Sequence, residues 1–373
     1  MRILVTSTAG AGHYGPLAPF VRSFLRGGHD VLVAAPPALG TSVRDAEFWP
    51  VGEPPEAERA AVFDGLAAVS HDEANRTVVR EVFGRLNAGA AVPRIREAIT
   101  SWRPDVVLRE TAEFGGAIAA ELHGVPSACV AISLAAMEHP MLELATPNLD
   151  ALRASHGLSG SHRFDDELRL SLFPAGLEDP SVPLPERVAR FRDPAWPVSR
   201  PGGRPLVYVT FGSVLGALPM TADVYRAALA AVETLDAEVL LTVGHGADPA
   251  SFGPVSGHVR VERWVDQASV LGRASAVVCH GGGGSTLGAL AAGVPLVVVP
   301  LFAADQHINA HRVAAVGAGV VTDPAGIRPA LDQILTSPSY LRAARAMSAE
   351  LAAHPSTDEA PAVLSGYWSG VDR

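Results

Sequence analysis

An α/β protein built from two doubly wound domains is predicted by three observations on the 373-residue chain. Short apolar strands alternate with helical apolar stripes over residues 2–132, and the same alternation restarts at residue 206. A glycine-rich turn follows a strand in each half, at Gly10-Ala-Gly12-His-Tyr-Gly15 and at His280 with Gly281, Gly282, Gly283 and Gly284. Between the halves, residues 194–205 (PAWPVSRPGGRP) interrupt the pattern with the composition of a linker. The expected domains are 1–198 and 199–355, followed by a tail, 356–373, whose cluster Val363, Leu364, Tyr367 and Trp368 packs at a place the sequence does not specify.

The first half opens with a buried strand over 2–7 and its glycine-rich turn. Leu17, Phe20, Val21, Phe24 and Leu25 then recur at helical spacing until Gly27-Gly28 stops them. A second strand over 30–35 ends at Pro36-Pro37 and closes a βαβ unit, whose right-handed crossover makes its strands parallel. A strand over 105–108, a helical pattern over 114–122 and a strand over 126–132 follow. Residues 52–103 and 135–184 read as helical or loop-like insertions, where such proteins keep variable substrate contacts. In the second half a strand over 206–210 leads to a helix over 221–236, with Val224, Ala228, Leu229, Val232 and Leu235 on one face. Strands over 238–243, 259–263, 276–279 and 295–299 follow, separated by helical segments. Parallel sheets bind ligands at the carboxyl ends of their strands, so a cleft between two facing domains is the expected site.

Composition removes several function classes. All 29 basic residues are arginine. Without lysine there is no Schiff base, no pyridoxal-phosphate anchor and no P-loop. A net charge of −10 with no arginine-rich run argues against nucleic acid as a partner. Cys129 and Cys279 sit in apolar runs and can build neither a disulfide framework nor a cysteine zinc site. The N-terminal segment reads as a strand rather than a signal peptide, and the uncharged stretch over 274–304 is punctured by glycines and prolines. No membrane span and a cytoplasmic location are therefore expected.

The first turn matches the G-x-G-x-x-G spacing of dinucleotide binding, but that fingerprint needs an acid at the end of the second strand. Here the strand ends Ala34-Ala35-Pro36-Pro37, and the nearby acid, Asp30, stands at its opposite end. The turn instead carries His13 at a helix start, where an imidazole can accept a hydroxyl proton near neutral pH. Such a base needs a carboxylate, and Glu110 or Glu113 after the next strand could supply it or could simply complement a helix dipole. In the second half, the glycines before Ser285-Thr286 let the backbone approach a ligand, and the following helix N-terminus presents free N–H groups. That is a phosphate cradle without lysine or metal, to which Ser213 at another strand end could add a hydroxyl. A lipase reading of His-Gly-Gly-Gly fails for want of a G-x-S-x-G elbow, and no Asp-x-Asp pair is present to clamp a metal. Trp264 with Gln267 offers a stacking face and an amide, and Asp305 with Gln306 offers donors and acceptors to a polyol.

In this order, His13 with Pro16-Leu17 and then Trp264 through His280 to Asn309, the chain resembles the GT-B-fold, nucleotide-sugar-dependent glycosyltransferases that decorate antibiotics and other small molecules. The resemblance spans nearly the whole chain. It implies that His13 is the general base with Glu110 its carboxylate partner, although the family more often has Asp, which keeps Glu113 in contention. It further implies that Ser213, His280, Gly281–Gly284 and Ser285 hold the donor diphosphate, that Trp264 and Gln267 meet the base, and that Asp305 and Gln306 hold the sugar. Where many members carry Glu to hold the ribose, this chain has Gly288. The expected activity is inverting, metal-independent transfer of a sugar, with a TDP-linked deoxysugar favoured, to a hydroxyl of an apolar aglycone such as a polyketide. No cofactor is implied beyond the nucleotide-sugar co-substrate. A homodimer is one assembly open to it. The competing expectations are a catalytically silent homologue that activates a partner and a GT-B-fold nucleotide-sugar epimerase.

Overall fold

The computed structural model describes residues 1–66, 68–160, 164, 166–197, 202–212 and 222–371, with side chains to 368. It divides into two compact units: Met1–Leu172 with Pro180–Pro194 and Pro355–Arg373, and Ala195–His354 with Phe173–Asp179.

The first unit is a seven-stranded parallel sheet of β1 (Arg2–Thr6), β2 (Asp30–Ala35), β3 (Glu47–Pro50), β4 (Val106–Glu110), β5 (Ser127–Val130), β6 (Leu168–Ser171) and β7 (Val188–Arg190). Their order is β3-β2-β1-β4-β5-β6-β7. β1 therefore pairs with both β2 and β4, and the chain's winding reverses between β1 and β4. Polar groups beyond the ends of these two strands meet at the crevice this reversal opens. Ile3, Leu4 and Val5 are fully buried, because a strand covered on both faces must be apolar throughout. The helix Ala11–Arg26 carries the expected stripe and ends at Gly27-Gly28.

Three strands of this sheet are not among those expected from sequence: β6 lies inside the insertion read over 135–184, and β3 and β7 lie in stretches to which the sequence reading assigns no element. β3 ends in proline, β7 is three residues long, and β6 hides a buried arginine, Arg169, between two leucines. The first insertion contains one long helical run, His71–Thr77, Val78–Asn87 and Ala88–Trp102, whose middle part is π-helical. Such widened turns change which side chains face a site.

The second unit is a six-stranded parallel sheet of β8 (Leu206–Thr210), β9 (Glu238–Thr242), β10 (Val259–Glu262), β11 (Ala276–Cys279), β12 (Leu296–Val298) and β13 (Gly319–Val321). Its order, β10-β9-β8-β11-β12-β13, reverses between β8 and β11. Val207, Val209, Val239, Leu241, Val278 and Val297 from these strands form its core with Tyr225, Val232, Ile327 and Leu331.

The tail takes a place that the sequence leaves open, and one segment lies outside the domain limits read from sequence. The tail packs on the first unit, where Thr357 and Ser23 hydroxyls share a buried 2.7 Å hydrogen bond and Arg187 donates to the Tyr367 hydroxyl at 2.7 Å. Residues Phe173–Asp179 belong to the second unit, where Arg312 donates to the carbonyls of Leu177 and Glu178 at 2.9 and 2.7 Å. Part of the linker, 198–201, and Ser213 lie outside the described residues. Among the described residues no helix is long and apolar enough to cross a membrane.

Candidate active site

His13 stands in the first turn of its helix, just beyond β1, and Glu110 is the last residue of β4. Pairing of those strands brings His13 Nδ1 within 3.1 Å of Glu110 Oε1. A carboxylate can only accept, so Nδ1 carries the hydrogen and Nε2 is the basic nitrogen. Glu110 is fully buried and completely bonded. Thr8 gives its Oε1 a hydroxyl at 2.8 Å and a backbone N–H at 3.2 Å, and the Ala112 N–H meets Oε2 at 2.6 Å. Burial alone would raise its pKa. His13, Ala112 and Thr8 outweigh burial and hold it below the ordinary glutamate value.

Glu113 has a different post. Its carboxylate accepts from the Thr6 hydroxyl and from the Gly116 N–H at 3.0 and 2.9 Å, at the start of the helix Gly115–His123. Burial, helped by the nearby Glu110 charge, pushes its pKa up to about 7. Of the two carboxylates left open by the sequence, Glu110 is bonded to His13 and Glu113 is bonded to a helix start.

His13 lines a cavity of about 200 Å³ within the first unit. Val51, Phe63, Val82, Phe83, Ala91 and Phe114 make much of its wall apolar, and Thr8, Glu53, Arg59, Asn87 and Glu113 also line it. Phe83 comes from the π-helical segment and places its ring 5.2 Å from the imidazole. Neither Thr8 nor Phe83 stands out in the sequence. The run Thr6-Ser7-Thr8 at a strand end was the available signal for the hydroxyl, whereas Phe83 is placed by a helix widening that has no local signature.

In the second unit, β11 delivers His280 and the glycines to the start of the helix Gly283–Ala291. Gly281 has φ +88°, and a Cβ there would lie 2.7 Å from the carbonyl oxygen of Gln306. A Cβ on Gly282 would meet His280 Nε2 at 2.6 Å. Gly281 thus requires glycine for conformation and for space, whereas a side chain at Gly282 would have to displace the His280 ring. No side chain caps the helix at Gly282, so its first N–H groups are available to an anion. Asn309, fully buried on the helix Ala304–Ala315, steadies the loop by donating to the Gly281 carbonyl at 2.8 Å. Burial pushes the His280 pKa down to about 4, which leaves a neutral ring at pH 7. Its Nδ1 is shut from solvent without a bonding partner.

The remaining residues divide in a way the sequence did not show. Trp264 is 58% exposed, with His245 stacked against it at 6.2 Å and 17° between planes, so its indole is no part of the core. Gln267 Nε2 reaches Ser285 Oγ at 3.4 Å. Asp305 is half-buried in the first turn of its helix. Gln306 is buried, and its Oε1 accepts the N–H groups of Leu301 and Phe302 at 2.9 and 3.3 Å. Its oxygen therefore shapes a loop, and only its amide nitrogen remains for a sugar.

Comparison with known proteins decides the family. The chain is 32% identical over 390 residues to the L-demethylnoviosyl transferase of Streptomyces niveus, covering 98% of this chain and 97% of that one. The chain belongs to the antibiotic-pathway glycosyltransferases. Residues 226–365 of this glycosyltransferase match the family described as erythromycin biosynthesis protein CIII-like, C-terminal domain. It is also 27% identical to the TDP-daunosamine transferase DnrS of Streptomyces peucetius, across 95% of this chain and 94% of that one. Its fold is similar to that of the calicheamicin glycosyltransferase CalG4, with a TM-score of 0.80 over 99% of this chain and 98% of that one at 24% identity. The glycosyltransferase thus has the GT-B fold, two Rossmann-like units each built on a parallel sheet.

Proposed function

We propose that this glycosyltransferase moves a deoxysugar from a TDP-linked donor to a hydroxyl of an apolar natural-product acceptor, with inversion and without a metal. The observation that carries the reading is the bond between His13 and a buried, ionised Glu110 at the wall of an apolar cavity. His13 Nε2 takes the proton of the acceptor hydroxyl as that oxygen bonds to the anomeric carbon. The bond from that carbon to the diphosphate oxygen breaks, and its electron pair leaves with the nucleoside diphosphate. Glu110 stabilises the imidazolium that results.

On the donor side, the N–H groups at the start of Gly283–Ala291 and a neutral His280 that donates a hydrogen bond supply the electrostatic stabilisation of the leaving diphosphate. Trp264 supplies a face for the base, and Asp305 with the Gln306 amide contacts the sugar. Ser213 contributes a hydroxyl in this reading. The preference for TDP is supported by Gly288. It is buried, and a Cβ there would come 2.9 Å from Leu271 Cδ1, so a ribose-binding carboxylate has no room without moving Leu271. A donor without the ribose 2′-hydroxyl loses least from that absence, since an unpaired buried hydroxyl costs on the order of 1 to 3 kcal/mol. The relative that transfers daunosamine from TDP points the same way.

The test is competition of TDP and UDP by calorimetry, with the anomeric configuration of the transferred sugar read by NMR. TDP should bind roughly tenfold tighter or more, the configuration should invert, and a chelator should leave transfer intact. Equal or tighter UDP binding, retention of configuration, or loss of transfer on chelation each removes the corresponding part of the reading.

A further inference from the structure

We propose that Arg109, which lines no part of the His13 cavity, is the positioning residue for Glu110, acting through the backbone of the loop after β4. The proposal rests on the reading of His13 and Glu110 as base and partner. Arg109 precedes Glu110 in β4, so strand alternation sends its side chain to the opposite face of the sheet. It is 1% exposed. Nη1 donates to three carbonyls of one short loop, those of Glu110 at 3.2 Å, Thr111 at 3.1 Å and Glu113 at 3.3 Å. The rest of the guanidinium is anchored from behind, with Nε and Nη2 on Glu167 Oε2 at 2.9 and 2.6 Å. Ser127 holds the other oxygen of Glu167 at 2.6 Å.

Burial works against the charge on Arg109. The bonds and charge of Glu167 are among the causes that outweigh burial and raise the Arg109 pKa above its ordinary value. A simple buried ion pair would need only the edge that faces Glu167. Here Nη1 is spent on the loop, and a planar guanidinium can serve both edges at once where an ammonium cannot. Carbonyls turned inward toward one cation force the intervening N–H outward. The Ala112 N–H accordingly meets Glu110 Oε2 at 2.6 Å, and the Glu113 N–H closes the turn on the Glu110 carbonyl at 3.0 Å. With Oε2 fixed in this way and Thr8 on Oε1, the carboxylate is aimed at His13. Without the guanidinium the Thr111 and Glu113 carbonyls lose their donor and the Glu110 carbonyl keeps only the Glu113 N–H, so the loop relaxes to recover a donor and the aim of Glu110 is lost.

The experiment compares Arg109→Met, Arg109→Lys, Glu110→Gln, His13→Ala and the Arg109→Met/Glu110→Gln double variant of the whole chain, with turnover normalised to folded protein by near-UV circular dichroism. Arg109→Met should lower kcat roughly 10- to 100-fold, the range for displacing a catalytic group by about 1 Å, with donor KM unchanged. Its acidic kcat limb should move to lower pH, because the imidazolium loses an aligned carboxylate. Arg109→Lys should restore the charge without restoring the rate. The double variant should be no slower than Glu110→Gln alone, since both act through one carboxylate. If Arg109→Met does not fold, Glu167→Gln keeps the guanidinium but loosens its seat, and should lower kcat roughly 3- to 10-fold with the same pH displacement. Wild-type kcat in folded Arg109→Met, full rescue by lysine, losses that multiply in the double variant, or an unmoved profile in Glu167→Gln overturns the proposal. Wild-type turnover in His13→Ala would instead overturn the base reading beneath it, so the two failures are distinct.

Discussion

The two sheets place their polar machinery at the same topological point and use opposite chemistry there. In the first unit the winding reverses between β1 and β4, and the residues at and beyond the strand ends are ionisable side chains: His13, Glu110 and Glu113, backed by Arg109 and Glu167. In the second it reverses between β8 and β11, and the residues after β11 are glycine backbone, a helix N-terminus and a histidine that burial keeps neutral. A base such as the one proposed for the first crevice must be able to change its charge, and the ions buried there are supported by hydrogen bonds. For the diphosphate proposed to sit in the second, fixed backbone dipoles can serve without a desolvated counter-charge. A sheet end is thus a position, and the chemistry comes from the residues the loops put there.

Separating the two units by mutation tests this contrast, and the largest effect is expected in the first. His13→Ala should cut turnover by roughly 10² to 10⁴ while nucleoside diphosphate affinity, measured by calorimetry, stays near wild type. Turnover close to normal would remove His13 from the chemistry. Next in size is Gly281→Ala, which forces a side chain into φ +88° and to within 2.7 Å of a backbone oxygen. TDP affinity should fall roughly 10- to 100-fold through strain on the order of 1 to 3 kcal/mol, and an unchanged affinity would mean that the loop does not hold the diphosphate. Trp264→Ala should weaken TDP about tenfold, in line with about 1 to 3 kcal/mol for a base stacked on an aromatic ring. Because the indole is exposed, thermal stability should hardly change, and a large drop in Tm with full affinity would contradict a stacking role.

The smallest effect on turnover, and the clearest on pH, is expected from Glu113→Gln. The folded protein holds this proton to about pH 7, whereas the unfolded chain releases it near the ordinary glutamate value. Over that interval the native state binds more protons than the unfolded state, so Glu113 lowers stability progressively as pH rises and its contribution levels off above about 7. Glu110 behaves oppositely, since its lowered pKa contributes stability that is lost as pH falls into the acid range. Glutamine mimics the protonated carboxyl, so Glu113→Gln should leave Tm nearly unchanged at pH 5 and raise it at pH 8. The gain corresponds to an order of a few kcal/mol. Denaturation at both pH values checks it, and an equal change at the two would show that Glu113 does not titrate in this window.

The sequence by itself determined the alternation of strands and helices, the two glycine turns and the chemistry-bearing residues beside them. These are local facts: a stripe at helical spacing, a strand buried on both faces, or a glycine that must follow a strand is written within a few neighbouring residues. Only the tertiary structure decided which carboxylate is bonded to His13. Glu110 and Glu113 are three residues apart and chemically identical, and strand pairing sends one to the imidazole and the other to the Gly116 N–H. It also decided that Phe83 faces His13, that the Gln306 oxygen braces a loop, and that residues 355–373 return to the first unit. β6 shows why such features escape a local reading. Leu-Arg-Leu-Ser becomes a buried strand because Arg169 finds Glu138, 31 positions earlier in the chain. A buried charge is tolerable only with its partner in place, and partners brought together across the chain leave no periodicity in the residues around them.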